Sequence, residues 1–143
     1  MPPRFEILEH PADVGFRAYG ATLTELFQNA ALALVSIAGD PERIEERERR
    51  EIEATGSDAE SLLYEWLAEI VAVADADRLV LRRVEVTSLG EGRVSGVAYG
   101  ERYDRTRHHA GTAIKAVTYH KFFVELSPTG WVAEVFLDVN VSR

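Results

Sequence analysis

Residues 22–41 read TLTELFQNAALALVSIAGDP, and their spacing sets the first structural expectation. Leu23, Leu26, Phe27, Ala30, Ala31, Leu34 and Val35 recur at three- and four-residue intervals, which predicts an amphipathic helix over 22–38. Thr22 and Glu25 form a capping box in front of it. Gly39, Asp40 and Pro41 end it, because glycine suits a C-terminal cap and proline cannot continue the helix. The same grammar returns at 57–75, where Ser57 and Glu60 make a second capping box ahead of Leu62, Leu63, Trp66, Leu67, Ile70 and Val71. Two helices with one apolar face each need a surface to cover.

Alternation supplies that surface. Strands are predicted at Phe5–Glu9, Val14–Tyr19, Leu79–Val86, Arg93–Tyr99, Ala113–Glu125 and Trp131–Val139, with a short one near Glu51–Ala54. Gly90, Glu91 and Gly92 form one tight turn, and Ser127, Pro128, Thr129 and Gly130 another, so the second half reads as an antiparallel meander. The expectation is an α+β fold: one domain over residues 1–143, with a mixed, mainly antiparallel sheet and two helices packed on one face.

Composition narrows the function. A chain of 143 residues with 46% apolar and 28% charged residues can bury roughly two thirds of its unfolded surface and lacks the signature of disorder. Sixteen Lys and Arg against 24 Asp and Glu give a net charge of −8, which repels phosphate backbones and disfavours strong direct binding of nucleic acid. The absence of cysteine removes disulfides, thiolate metal sites and thiol nucleophiles. The start MPPRFEILEH has no apolar leader, no stretch is long enough to span a membrane, and a cytoplasmic location is expected. Residues 40–60 hold nine acids and four arginines, which reads as a solvated connection with mixed ion pairs or as a docking surface for a basic partner.

Three groups of residues could carry chemistry. The loop His10-Pro11-Ala12-Asp13-Val14-Gly15 lies between two strands, where side chains are held firmly yet exposed. Taken alone, Asp13 reads as a turn former or a ligand, and His10 as a hydrogen-bonded loop side chain, a ligand or a base. Asp138 falls on the strand face of Val132, Glu134 and Phe136. With Asp13 and the carbonyl of Val139 it would make an all-oxygen site for calcium or magnesium, provided the segments are neighbours.

The third group is Arg105 to His109 and Lys115-Ala116-Val117-Thr118-Tyr119-His120. On one long strand His120 sits with Ile114, Ala116 and Phe122 at the edge of the core, and adjacent His108 and His109 point apart. Arg102, Arg105, Arg107, Lys115 and Lys121 read as ion-pair partners or as a small RNA-contacting patch. Phosphate loops, dinucleotide fingerprints, nucleophile elbows and the His-Glu-x-x-His zinc motif are all missing.

Taken in order, these pieces resemble the archease family. His10 to Gly15, Ala18-Tyr19-Gly20, Thr22-Leu23, Leu62-Leu63-Tyr64-Glu65-Trp66-Leu67, Lys115 to His120 and Leu137-Asp138-Val139 are each similar to a family string. Pro11 replaces a usual threonine, and Ala113 stands where a glutamate commonly precedes Lys-Ala-Val. The resemblance implies an accessory activator of an RtcB-type RNA ligase in tRNA splicing and RNA repair. Such an activator promotes guanylylation of the ligase's active-site histidine and its multiple turnover, and is not itself a catalyst. It also implies a metal site at Asp13, Asp138 and the Val139 carbonyl, taking calcium, with magnesium or manganese as the other candidates; His10, Lys115 and His120 are candidates for a functional surface. The competing classes are a small metal-dependent phosphohydrolase using Asp13 and Asp138 and a general protein chaperone.

Overall fold

The first helix forms where its periodicity puts it. In the computed structural model, which describes residues 3–10, 13–108 and 112–140 (at Glu9, His10, Asp13 and Asn140 the backbone alone), α1 runs Leu23–Ala38. Thr22 Oγ1 accepts the Glu25 N–H at 3.1 Å, while Glu25 Oε1 accepts the Ala21 N–H instead of completing the box at Thr22. The second helix, α2, runs Ala59–Ala76, and its cap lies one residue later than expected. Asp58, not Ser57, is the N-cap: Asp58 Oδ1 accepts the Ser61 N–H at 2.8 Å, and Ser61 Oγ accepts the Asp58 N–H at 3.1 Å. Both registers satisfy the capping pattern, and aspartate adds a full negative charge at the positive end of the helix.

Eight strands complete the chain: β1 Phe5–His10, β2 Asp13–Gly20, β3 Glu48–Thr55, β4 Leu79–Gly90, β5 Arg93–Arg102, β6 Ala113–Val117, β7 Phe123–Ser127 and β8 Gly130–Asn140. The expected α+β class, the two helices and the antiparallel character are all present, and every described pairing is antiparallel. The strands divide between two sheets. One has the order β1-β2-β8-β6, with β7 also on β8; the other is β3-β5-β4.

Two sheets fit around two helices because α1 is apolar on more than one side. Leu26, Phe27, Ala30, Ala31 and Ala33 are all fully buried, and α1 packs against β2 of one sheet and β4 of the other. Its alanines let both sheets approach closely. Helix α2 reaches across in the same way to β3 and β6. Trp66 Nε1 donates to the Phe27 carbonyl at 3.3 Å, which joins the helices and satisfies the indole in the core. The Trp66 ring presses on Gly96, where an added Cβ would lie 2.5 Å from Cη2.

Residues 113–125 do not form the single strand expected of them. The chain leaves β6 at Val117, turns through Tyr119–Lys121, where Lys121 has φ 53°, and restarts as β7. The Phe122 N–H donates to the Tyr119 carbonyl at 3.1 Å across that turn. Among the described residues no helix is long and apolar enough to cross a membrane.

The cap position is testable by thermal unfolding. Asp58→Ala should destabilise the protein by about 1 kcal/mol and Ser57→Ala by only a few tenths. The reverse ranking would return the cap to Ser57.

Candidate functional site

The candidate site grows from the ends of two neighbouring strands. Strand β2 pairs with β8 from Gly20↔Trp131 to Val14↔Leu137, and one step further the two strands reach Asp13 and Asp138. Strand β1 sets His10 opposite Asp13. On the other side of β8, β6 pairs Ala116↔Asp138 and Ile114↔Val139, and the register shift between these pairs leaves Lys115 as the extra residue of a bulge. Bulges re-aim side chains and recur beside functional sites. Five candidates from distant parts of the sequence, His10, Asp13, Lys115, Asp138 and Val139, therefore share one end of one sheet.

The Asp138 side chain is exposed. The two carboxylates and the Val139 carbonyl are all hard oxygen donors, a set that suits calcium, magnesium or manganese and not soft metals. Among the described residues no three His, Asp or Glu side chains are grouped to hold a metal. The side chains of His10 and Asp13, together with Pro11 and Ala12, lie outside the described residues.

A phenylalanine shapes this end of the sheet. Gly15 is opposite Phe136, and a Cβ at Gly15 would stand 2.6 Å from both the Phe136 ring and the Val135 carbonyl oxygen. Glycine follows Asp13-Val14 because Phe136 fills the place of its side chain. Phe136 is itself buried at 4% exposure, although alternation puts it on the face opposite the core residues Ala133, Val135 and Leu137. Next along that face Glu134, also buried, binds the Arg17 guanidinium, whose pKa is raised chiefly by that hydrogen bond.

His120 corrects the sequence reading. It is exposed in the turn after β6 and not at the edge of the core, because the strand on which alternation was counted ends at Val117. Its ring meets Phe136 edge-on at 5.9 Å between centroids, so it still borders the same end of the sheet.

Comparison with known proteins places the chain in a family. Residues 5–139 match the Archease protein family (MTH1598/TM1083). The chain belongs to the archease family. It is 39% identical over 140 residues to protein archease of Methanosarcina mazei, covering 95% of this chain and 96% of that one. The figure is 38% over 141 residues for protein archease of Pyrococcus abyssi, covering 95% and 99%. The solution structure of Methanobacterium thermoautotrophicum protein 1598 superposes with a TM-score of 0.79 at 33% identity, covering 94% and 98%. An archease of Thermotoga maritima, called a possible chaperone, shares the fold with a TM-score of 0.63 at 18% identity, covering 94% of each chain.

Elsewhere in this archease-family chain lies a buried charge network that the sequence reading missed. Glu101, 3% exposed at the end of β5, accepts hydrogen bonds from Arg107 at 2.6 and 3.2 Å and from the Glu45 N–H at 2.7 Å. The Arg107 hydrogen bond, more than any other contact, lowers the Glu101 carboxyl to about 2. His108 Nε2 lies 3.1 Å from Glu101, and its Nδ1 accepts the Asp104 N–H at 2.8 Å. His108 is thus a buried turn residue and not one of two extended neighbours; His109 lies outside the described residues. Arg107 is committed to this network, and Arg102 donates to the Asp77 carbonyl. The basic residues read together in the sequence do not all remain free for a single patch.

Two substitutions probe these features. Gly15→Ala should cost about 1–3 kcal/mol in chemical denaturation, because a backbone oxygen and a packed ring must both move. Glu101→Ala should cost about 3 kcal/mol, because it leaves Arg107 and His108 without their buried partner. The folded carboxyl lies below its ordinary value, so its contribution is complete above about pH 4.5 and fades as pH falls toward 2. The difference between wild type and Glu101→Ala in thermal stability should therefore shrink over that window.

Proposed function

We propose that this protein is an accessory factor of an RtcB-type RNA ligase, promoting the ligase's GTP-dependent guanylylation and multiple turnover in tRNA splicing and RNA repair. The observation that carries the reading is the β2–β8 register, which brings the strand positions of Asp13 and Asp138 side by side. Membership of the archease family supports an accessory or chaperone-type role.

In this reading Asp13, Asp138 and the Val139 carbonyl hold a divalent cation, calcium first, with magnesium or manganese as the alternatives. Such an ion, when bound, supplies positive charge against phosphate oxygens. The protein's own part is positional. Antiparallel pairing on both sides of β8 fixes the backbone at Asp138, and the bulge places Lys115 at the same end of the sheet. A small, rigid end of sheet can enter a cleft with its charges already oriented. The net charge of −8 favours encounter with the basic walls of an RNA-binding enzyme, so stimulation falls as salt rises. The protein would act in the cytoplasm beside its ligase.

The test is single-turnover guanylylation of the cognate ligase with GTP and a divalent metal, with and without this protein. Wild type should accelerate the reaction. Asp13→Ala and Asp138→Ala, checked for folding, should each lose at least about tenfold of that acceleration, roughly 1.4 kcal/mol of barrier. No acceleration by wild type would refute the activator role. Turnover of simple phosphoesters that is lost on Asp13→Ala would then select a metal-dependent phosphohydrolase, and broad suppression of aggregation a chaperone.

A further inference from the structure

The acids of this protein fall into two groups. In the segment 40–53, Asp40, Glu45, Glu46, Glu48 and Glu53 each have an arginine within ion-pair distance. Three of these arginines, Arg43, Arg47 and Arg50, belong to the segment itself, while Arg83 and Arg93 reach it from β4 and β5. On α2 the situation is opposite. Glu65 and Glu69, one helical turn apart and both exposed, have no cationic partner among the described residues. Asp58 at the start of the helix keeps its carboxyl ionised below the usual range through hydrogen bonds from the Ser61 backbone and side chain.

Beside these carboxylates stands an aromatic side chain that packing alone does not explain. Tyr119 is 60% exposed, yet its ring is held in place. It stacks on Tyr64 at 3.9 Å between centroids and 10° between planes, with Phe122 edge-on at 5.8 Å. Tyr64 is anchored in turn by its hydroxyl, which donates to the Val117 carbonyl at 3.1 Å. Tyr64 covers one face of the Tyr119 ring and leaves the other to solvent. Desolvation, then the neighbouring Tyr64, Glu65 and Asp58, raise the Tyr119 hydroxyl above its ordinary value, and no cation is among the groups that act on it. Lys115 and Lys121, though near in sequence, do not neutralise this spot.

We propose that Tyr119, backed by Tyr64 and flanked by Asp58 and Glu65, with Glu69 one turn further along α2, is a docking surface for an arginine-presenting segment of a protein partner. An open aromatic face attracts a cation through the ring quadrupole, and a planar guanidinium stacks there better than an ammonium. The surrounding carboxylates accept its N–H groups in pairs and exclude phosphate, which sets nucleic acid aside. The start of α2 carries only about half a positive charge, which the full charge of Asp58 outweighs. The surface stands whether or not the partner is the ligase, and it is separate from Asp13 and Asp138.

Fluorescence anisotropy with a dye-labelled oligo-arginine peptide at low salt tests it. Wild type should bind, and bind an oligo-lysine of equal length more weakly. Tyr119→Ala should weaken arginine binding about tenfold while Tyr119→Phe retains it. Glu65→Lys with Glu69→Lys should weaken it at least as much. Glu42→Lys with Glu91→Lys, which changes net charge equally at exposed positions elsewhere, should have a smaller effect. Equal losses in the two double variants, full binding by Tyr119→Ala, or no binding by wild type would each overturn the proposal. Sedimentation revealing a wild-type dimer that Tyr119→Ala abolishes would assign the face to a second copy instead.

Discussion

The pairing of β2 with β8 is the constraint on which the candidate site depends. Residues as far apart in sequence as Arg17 and Glu134, separated by 117 positions, become hydrogen-bonded neighbours through it. Strand β8 also receives β6 and β7 on its other edge, so three other strands take their register from this one. A slip of one residue would turn Ala133, Val135 and Leu137 out of the core, and the loss of that burial holds the register firmly. Gly15 adds a steric key, since a side chain at that position would collide with the Phe136 ring that lies across β2. The strand positions of Asp13 and Asp138 follow from these contacts without any force of their own.

Much of this was legible in the sequence because it is local. The periodicity of residues 22–38 identifies α1, and alternation identifies the strands, because the pattern of burial is written into neighbouring residues. The cap of α2 was missed by one position because Ser57 with Glu60 and Asp58 with Ser61 both fit a capping pattern, and side-chain geometry decides between them. The break after Val117 left no sign: Thr118, Tyr119, Phe122 and Phe123 all favour strands, and the turn places a lysine, not a glycine, at positive φ.

What could not be read is what depends on distant partners. Which sheet a strand joins is settled by packing on α1, whose buried alanines admit a sheet on each side, and an amphipathic pattern does not report a second neighbour. Glu101 looks like any strand-end acid until Arg107, His108 and the Glu45 backbone close on it. At the candidate site the residue types alone single out Asp13, Asp138 and Lys115 as candidates, while their gathering at one end of a sheet, and the bulge at Lys115, are properties of the register.

The position of β8 also governs how the chain can fold as it is made. Strand β2 and helix α1 leave the ribosome early, yet the partner edge for β2 and part of the cover for α1 lie in residues 130–140. Until that strand emerges, the β3-β5-β4 sheet can close locally around its short β4–β5 turn, while β2 presents an open edge and α1 an uncovered apolar side. Until β8 is made, the growing chain therefore holds an unpaired β2 edge and an uncovered side of α1, the kind of surface that invites association between chains.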